Sequence, residues 1–572
     1  MSYRAPERDG EALISPGIDA AAEFVGNNVR QLEANDWNWA DYSLAELRRV
    51  ARAKLLSSAA RYTSSYRPLE GLRGDDGQAR PKLGLERMQG GSVSGSPAVA
   101  DRESWNQPSV GKRPPTIIMA GHQPTLFHPG VWFKNFAIDR IARQVSSSGL
   151  ADGISESVVA VNLVIDNDVS TASSIRVPFL DPKTRLVRRS SVAYDIAAGG
   201  LPYEQNRIHD RETFESFADA VRSAVGSLVA DPLIDRLWPH AVAAVGRCEN
   251  VACAIAQARH SLEGELGLQT LELPLSVICR SEPFFGFALA ILNQAARFRE
   301  TYNVASDEYR LAHRIRSSAH PVPDLAVDGA WIEVPFWIYS EASPQRHRAW
   351  VRTDDTGLEI SDRRELSIRL DRLHLRDPAE LAKLCGRSVK LRPRALVTTM
   401  FARLVLCDLF VHGIGGAKYD ELGDVITGRF FGVQPPHWMT VSATMLLPID
   451  PARIARAPWS VAEVRDRIRR ARFAPESFAA EATLPEELCR VKRELIANRP
   501  RSGSKKAWHD QVDGVNRDLY SRLGKFRERL TADLAQAREF ELSEAILRSR
   551  EHSFCLFPVE HLARHFARLL RS

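Results

Sequence analysis

The sequence predicts an α/β protein: a parallel-sheet core with helical and small β insertions, followed by a C-terminal α-helical hairpin or coiled coil. Three observations carry this. Between residues 116 and 168 an apolar run, a helix-spaced run and a second apolar run follow one another within about 50 residues, the compass of a βαβ unit. The middle of the chain alternates helix-spaced with β-prone segments. From residue 452 onward, apolar residues recur near the helical period through long charged stretches.

Residues 1–67 read as an N-terminal helical region, with Leu44, Leu47, Val50, Ala51 and Leu55 at helical spacing. Residues 68–114 are rich in Gly, Ser, Pro and charge and read as a disordered linker or insertion. The core is assigned to residues 115–451. In it "TIIMA" (116–120) is a strand, "VWFKNFAIDRIARQV" a helix, and "SVVAVNLVIDND" (157–168) a buried strand with a polar end. Residues 212–229 and 237–265 are expected to be helical, "LELPLSVIC" a strand, and "PFFGFALAILNQAARFRETYN" an apolar helix. A small antiparallel β insertion is expected at about 330–362, in "GAWIEVPFWIYSE", "HRAWVRTD" and "LEISD". "RALVTTMFARLVLCDLFV" (394–411) reads as a buried helix, and "DVITGRFFG" as another. Residues 452–572 form the C-terminal helical region, whose longest segment carries Val515, Leu519, Leu523, Phe526, Leu530 and Leu534, with "FCLFPVEHL" as a closing strand.

Bulk properties exclude several classes. No apolar run is long enough to span a bilayer, and the first residues lack a signal-peptide core, so the expected compartment is the cytoplasm. The seven cysteines form no CxxC pair and read as reduced thiols rather than a disulfide or zinc framework. Net charge is +6 on 77 basic and 71 acidic residues; runs such as "RDRIRRARF" read as solvated helix faces, and nucleic acid is not the expected partner.

A parallel sheet places ligands beyond the carboxyl ends of its strands. Two polar turns fall there. In "AGHQPTLFHPGVWFKNF" Gly121, His122, Gln123, His128 and Asn135 are candidates for a polar substrate pocket; Gly130 allows close backbone approach and Lys134 supplies positive charge. In "VNLVIDNDVS", Asp166, Asn167 and Asp168 end the second strand, where carboxylates hold an amine or take a proton. A metal set of His122, His128 and Asp168 is a further possibility. In "HGIGGAKYDE", His412, Gly415, Gly416, Lys418, Tyr419 and Glu421 suggest a glycine loop of backbone donors before a helix, without a Walker signature. Arg392 and Arg394 in "KLRPRAL" are suited to gripping a carboxylate or phosphate.

"MAGHQPTLFHPGVWFKNFAIDRIA" resembles the "tGQQ-GLF-GP-Y--yK" segment of the cysteine-adding enzymes of bacillithiol biosynthesis (BshC-like). "IDNDVS" stands where that family has an acidic E-D-H-D-like run. "LRPRALVTTMFARLVLCDLFVHGIGGAKYDE" is similar to its RP…G-G-P-x-E-x-x-Y segment, through Arg392, Pro393, Gly415, Gly416 and Glu421. The turn is also similar to "HQPNYFPWLGYFDKI" of the WbqC-like family. The BshC-like resemblance spans roughly residues 115–545 on three short segments, and His122 and Ala417 replace a Gln and a Pro of its motifs. It implies a Rossmann-like core, a C-terminal coiled coil used for homodimerisation, a possible nucleotide cofactor, and amide formation between a cysteine carboxyl and a sugar-malate amine.

The expected function is therefore a ligase or transferase forming an amide-type bond on a small polar metabolite. His122, Asp166 and Asp168 are its catalytic candidates, with Arg392, His412, Gly415 and Gly416 neutralising an anion. The alternative is a non-catalytic metabolite-binding or assembly protein whose basic C-terminal helices recruit a partner.

Overall fold

The computed structural model describes residues 4–571 apart from 40–41, 70–112, 148–153, 156, 197–198 and 502; the expected linker at 68–114 lies almost wholly outside the described residues. The central sheet has six strands: β1 (Glu11–Ser15), β2 (Thr116–His122), β3 (Val158–Val164), β4 (Leu271–Pro274), β5 (Leu409–His412) and β6 (Trp438–Thr444). Their spatial order is β1-β6-β5-β2-β3-β4. All pair in parallel except β1, which is antiparallel to β6. β2 and β3 are nearly continuous apolar runs because both faces are covered. Ile117, Met119 and Val161 feed one core cluster, while Ile118, Ala120 and Ala160 feed the other.

From β2 the chain builds outward through β3 to β4, then returns to the other side of β2 for β5 and β6. The helix after β2 (Pro129–Ser147) packs Trp132, Phe133 and Ile138 on one face of the sheet. The helix after β5 (Ile414–Ile426) packs Leu422 and Ile426 on the other. Neighbouring strands whose helices leave to opposite faces open a crevice at their carboxyl ends.

The first 67 residues are not a separate helical unit. They supply the edge strand β1 and the helices Ala21–Glu33 and Leu44–Ser64, and the second of these packs into the same cluster as β2 and β3. From it Arg48 and Arg52 reach the buried Asp408 carboxylate at 2.8 and 2.6 Å. Asp408 also accepts the Ile117 N–H at 2.8 Å, tying β5 to β2 at their amino ends.

Several expected elements are redrawn. The stretch 394–411 is not one helix: it is a helix Ala395–Phe401, a π-helical turn Ala402–Leu406, and strand β5. A four-residue buried strand has too few residues to show a period, so its apolar run read as helix. "LELPLSVIC" is a strand only as far as Pro274; Leu275–Ile278 turn helical. The helix expected over 237–265 is two, Ile234–Cys248 and Val251–Glu265, separated where Glu249 takes a left-handed conformation at φ 43°. The β insertion extends past 362. Trp331–Tyr339, His347–Asp354, Gly357–Ser361 and Ser367–Asp371 form an antiparallel sheet, closed on its other side by Lys390–Pro393. A hairpin of Ser174–Leu180 and Val187–Ala193 was not anticipated. The closing strand is instead a 3₁₀ turn, Phe554–Leu556, and a helix, Val559–Leu569, with Pro558 as its N-cap. Phe554 is buried against Phe127 and Trp132, which consumes the apolar pattern that read as a strand.

In the C-terminal region the helix Val461–Phe473 lies against Lys505–Arg522 and Gly524–Leu547. Val461 and Val464 cluster with Ala537, while Ala471 clusters with Leu523, Phe526 and Leu530, so the pairing within the chain is antiparallel. Among the described residues no helix is long and apolar enough to cross a membrane.

Candidate functional site

The crevice between β2 and β5 is occupied by one ammonium group. Lys134, in the second turn of Pro129–Ser147, is only 5% exposed. Its Nζ donates to the Gly121 carbonyl at 2.8 Å. A Cβ placed on Gly413 would stand 3.9 Å from the same Nζ, so Lys134 bridges the carboxyl ends of both strands. Burial without a counter-charge lowers it to about 8. Gly413 is the N-cap of Ile414–Ile426 and offers no side-chain cap. The expected glycine loop is therefore corrected: Gly415 and Gly416 lie in the first helical turn, not before it. Gly416 is required there, since a Cβ would fall 2.8 Å from His412 Nδ1. The first N–H groups of such a helix have no intrahelical acceptors and point outward along its axis.

His122 and His412 end adjacent strands but face opposite sides of the sheet. His122 packs edge-on to Phe127. Its Nε2 is 3.1 Å from Asn135 Oδ1, and its Nδ1 is 3.3 Å from the Gln123 carbonyl. The Asn135 amide is itself oriented by donating to Glu263 Oε1 at 2.6 Å, which makes its oxygen the acceptor and favours the Nε2–H tautomer of His122. Burial, with Arg259 and Lys134 nearby, holds His122 well below its ordinary range. His412 Nε2 lies 2.8 Å from Asp420 Oδ2. Burial alone would raise Asp420, but His412 and Arg403 beside it hold it at about 2.

One strand further along, the polar end of β3 divides. Gln123 Nε2 donates to Asp168 Oδ2, and Asp168 pairs with Arg346 at 3.0 Å. Asn167 is buried, donating to the Pro393 carbonyl at 2.7 Å and accepting from Arg346 at 3.0 Å through its own carbonyl. Asp166 turns the other way and accepts from the Ser276 N–H at 2.9 Å and from the Ser276 hydroxyl. Burial, and the like charge of Glu204 beside it, push Asp166 up to about 7. Burial opposes ionisation of Glu204 as well, but Arg392 grips it at 2.7 and 3.1 Å, with Tyr339 donating at 2.6 Å, and Glu204 stays low. Asp166, Glu204 and Ser276 open on a cleft of about 210 Å³, with Arg280 at its exposed margin.

No family model matches this chain, and no curated protein matches it either. The site is therefore read from its own geometry.

That geometry brings Gly121, His122, Gln123, Lys134, Asn135, Asp166, Asn167, Asp168, Gly415 and Gly416 to one edge of the sheet. The other candidates are engaged elsewhere. Arg392 is spent on Glu204. Arg394 pairs with Glu333 at 2.7 Å and stacks 4.4 Å from the Trp337 ring. His128 Nδ1 accepts the Gly130 N–H at 3.1 Å, and burial lowers it to about 4. Gly130 serves packing, because a Cβ there would collide with the Ala443 carbonyl of β6. Lys418 is exposed, and its carbonyl accepts from the Tyr309 hydroxyl. Tyr419 lies against His320, and Glu421 pairs with His313 at 3.3 Å, both outside the crevice. Among the described residues no three His, Cys, Asp or Glu side chains are grouped to hold a metal ion, so the set of His122, His128 and Asp168 is not assembled.

Sequence reasoning missed Glu204, Ser276, Arg346 and Glu263. Glu204 and Arg346 sit in irregular segments with no period to mark them. Glu263 is fully buried on a helix and accepts from Trp132, Asn135 and Arg259 at 2.8, 2.6 and 2.6 Å. The i,i+4 spacing of Arg259 and Glu263 on a mostly apolar helix was the available signal.

Proposed function

We propose that the carboxyl edge of the central sheet binds a small metabolite bearing an anionic group and an amine, and that the protein joins it to a second molecule in an amide-type ligation or transfer. The observation that carries this is the burial, on one edge of one sheet, of Lys134 against a carbonyl and of Asp166 beside Glu204, which shifts them to about 8 and about 7. The anionic group would sit against Lys134 and the first N–H groups of Ile414–Ile426. The amine would face Asp166, which titrates near neutrality and would take its proton as the new bond forms. His122, held neutral with its Nε2–H given to Asn135, would shape the pocket floor rather than exchange protons. The strand order supports a Rossmann-like reading of the core, and the BshC-like resemblance supplies the reaction class. A nucleotide, a homodimer through the C-terminal helices and a cytoplasmic setting belong to that same reading.

The test is ligand-induced stabilisation against nucleotides, amino acids and hydroxy-acid sugars. Wild type, Lys134→Met and Asp166→Asn are compared. A ligand at a hundred times its Kd stabilises by about 2.7 kcal/mol. A hit lost in both variants supports the site; a hit retained in both, or none with all three proteins folded, overturns it. An apolar groove lined by Leu446, Ile449, Ile454, Trp459, Phe540 and Leu547 favours the second reading, an assembly protein. Partner capture that survives Lys134→Met but not Trp459→Ser would select it.

A further inference from the structure

Of the seven cysteines, five are buried, and only Cys248 and Cys253 are partly open to solvent. These two are neighbours. Cys248 closes the helix Ile234–Cys248, Glu249 turns the chain, Asn250 caps the next helix, and Cys253 stands in its first turn. Asn250 touches both: its carbonyl is 4.0 Å from Cys248 Sγ, and its side chain accepts the Cys253 N–H at 2.9 Å. Both cysteines line the Asp166 cleft.

We propose that Cys248 and Cys253 are a dithiol modification site, oxidised by a hydroperoxide to an intramolecular disulfide in the wall of that cleft. The two sulfurs are held from opposite sides of the turn. The Ala244 carbonyl lies 3.3 Å from Cys248 Sγ, and Gln257 Nε2 at 3.4 Å with the Tyr62 hydroxyl at 3.7 Å holds the Cys253 sulfur.

The thiolate of one cysteine attacks the terminal oxygen of the hydroperoxide. The O–O bond breaks, the alkoxide leaves as the alcohol after taking a proton, and that cysteine becomes a sulfenic acid. The sulfur of the other then attacks it, the S–O bond breaks, and water leaves with the second thiol's proton. Two thiols and one hydroperoxide yield one disulfide, one alcohol and one water. Closing the two sulfurs to about 2 Å draws the ends of two helices together beside Asp166.

The full chain, reduced, is treated with stoichiometric hydrogen peroxide, blocked with iodoacetamide and digested with trypsin. Both cysteines fall in the one fragment 248–259. The expected result is that this fragment becomes lighter by two hydrogens and refractory to alkylation, reversibly with dithiothreitol. Its oxidation should be at least about tenfold faster than that of any buried cysteine. In Cys253→Ser or Cys248→Ser, dimedone should trap a sulfenic acid at the remaining cysteine of the pair. Full alkylation of both cysteines after peroxide, or oxidation spread evenly over all seven, overturns the proposal. So does the absence of dimedone labelling in both variants.

Discussion

The two edges of the central sheet bury charge to a similar depth and treat it in opposite ways. At the amino edge Asp408 lies between Arg48 and Arg52 and also holds a strand N–H. Burial, with Arg52 close by, lowers Arg48 only to about 10, so it stays charged at neutral pH. At the carboxyl edge Lys134 has a carbonyl for company and Asp166 has a like charge, and both drift toward neutrality. Burial alone does not make a site. A buried charge with its counter-charge is a tie between elements; one without becomes a group that exchanges protons near physiological pH.

The comparison is broken most severely at the amino edge. Asp408→Ala leaves two arginines buried without a counter-charge and should cost about 3–5 kcal/mol in urea unfolding. A loss below about 1 kcal/mol would show that the tie is not structural.

Next is the pH dependence of the carboxyl edge. The folded state raises Asp166 from 3.8 to about 7, so it binds more protons than the unfolded chain in that window. Stability should therefore fall as pH rises from about 4 to 7, by a few kcal/mol, and Asp166→Asn should flatten this limb. Lys134 is lowered from 10.5 to about 8, so the unfolded chain holds the extra proton there. Stability should rise between those values, and Lys134→Met should remove the rise. Unfolding free energies across pH check both; unchanged profiles in the two variants would defeat the contrast.

Gly130→Ala sharpens the view that Gly130 serves packing rather than ligand approach. Its Cβ would meet the Ala443 carbonyl, for a loss of about 1–3 kcal/mol seen as a lower Tm. The smallest effect belongs to Glu421, partly exposed and paired with an exposed His313. Glu421→Ala should change stability by less than about 1 kcal/mol and leave ligand-induced stabilisation intact. Loss of ligand response would return Glu421 to the site.

Much of the edge was legible. "TIIMAGHQP" and "VVAVNLVIDND" announced two adjacent parallel strands with polar ends, and these are β2 and β3. β5 was not legible, because four buried residues beside a helix and a π-helical turn carry no period of their own. Arg392 and Arg394 looked free because their partners, Glu204 and Glu333, are 188 and 61 residues away in sequence. The metal set failed for a local reason: the His128 ring accepts from its own turn.

By itself the sequence determined the α/β class, the first βαβ unit, the amphipathic C-terminal helices and the polar chemistry of two turns. These depend on local periodicity and on residues that sit next to each other in the chain. Tertiary structure alone decided that β5 lies on the other side of β2, which arginines were already neutralised, and that Asp166 would share its cleft with Glu204. Those outcomes depend on which charges meet across hundreds of residues, and the ionisation of a buried group is set by what it meets.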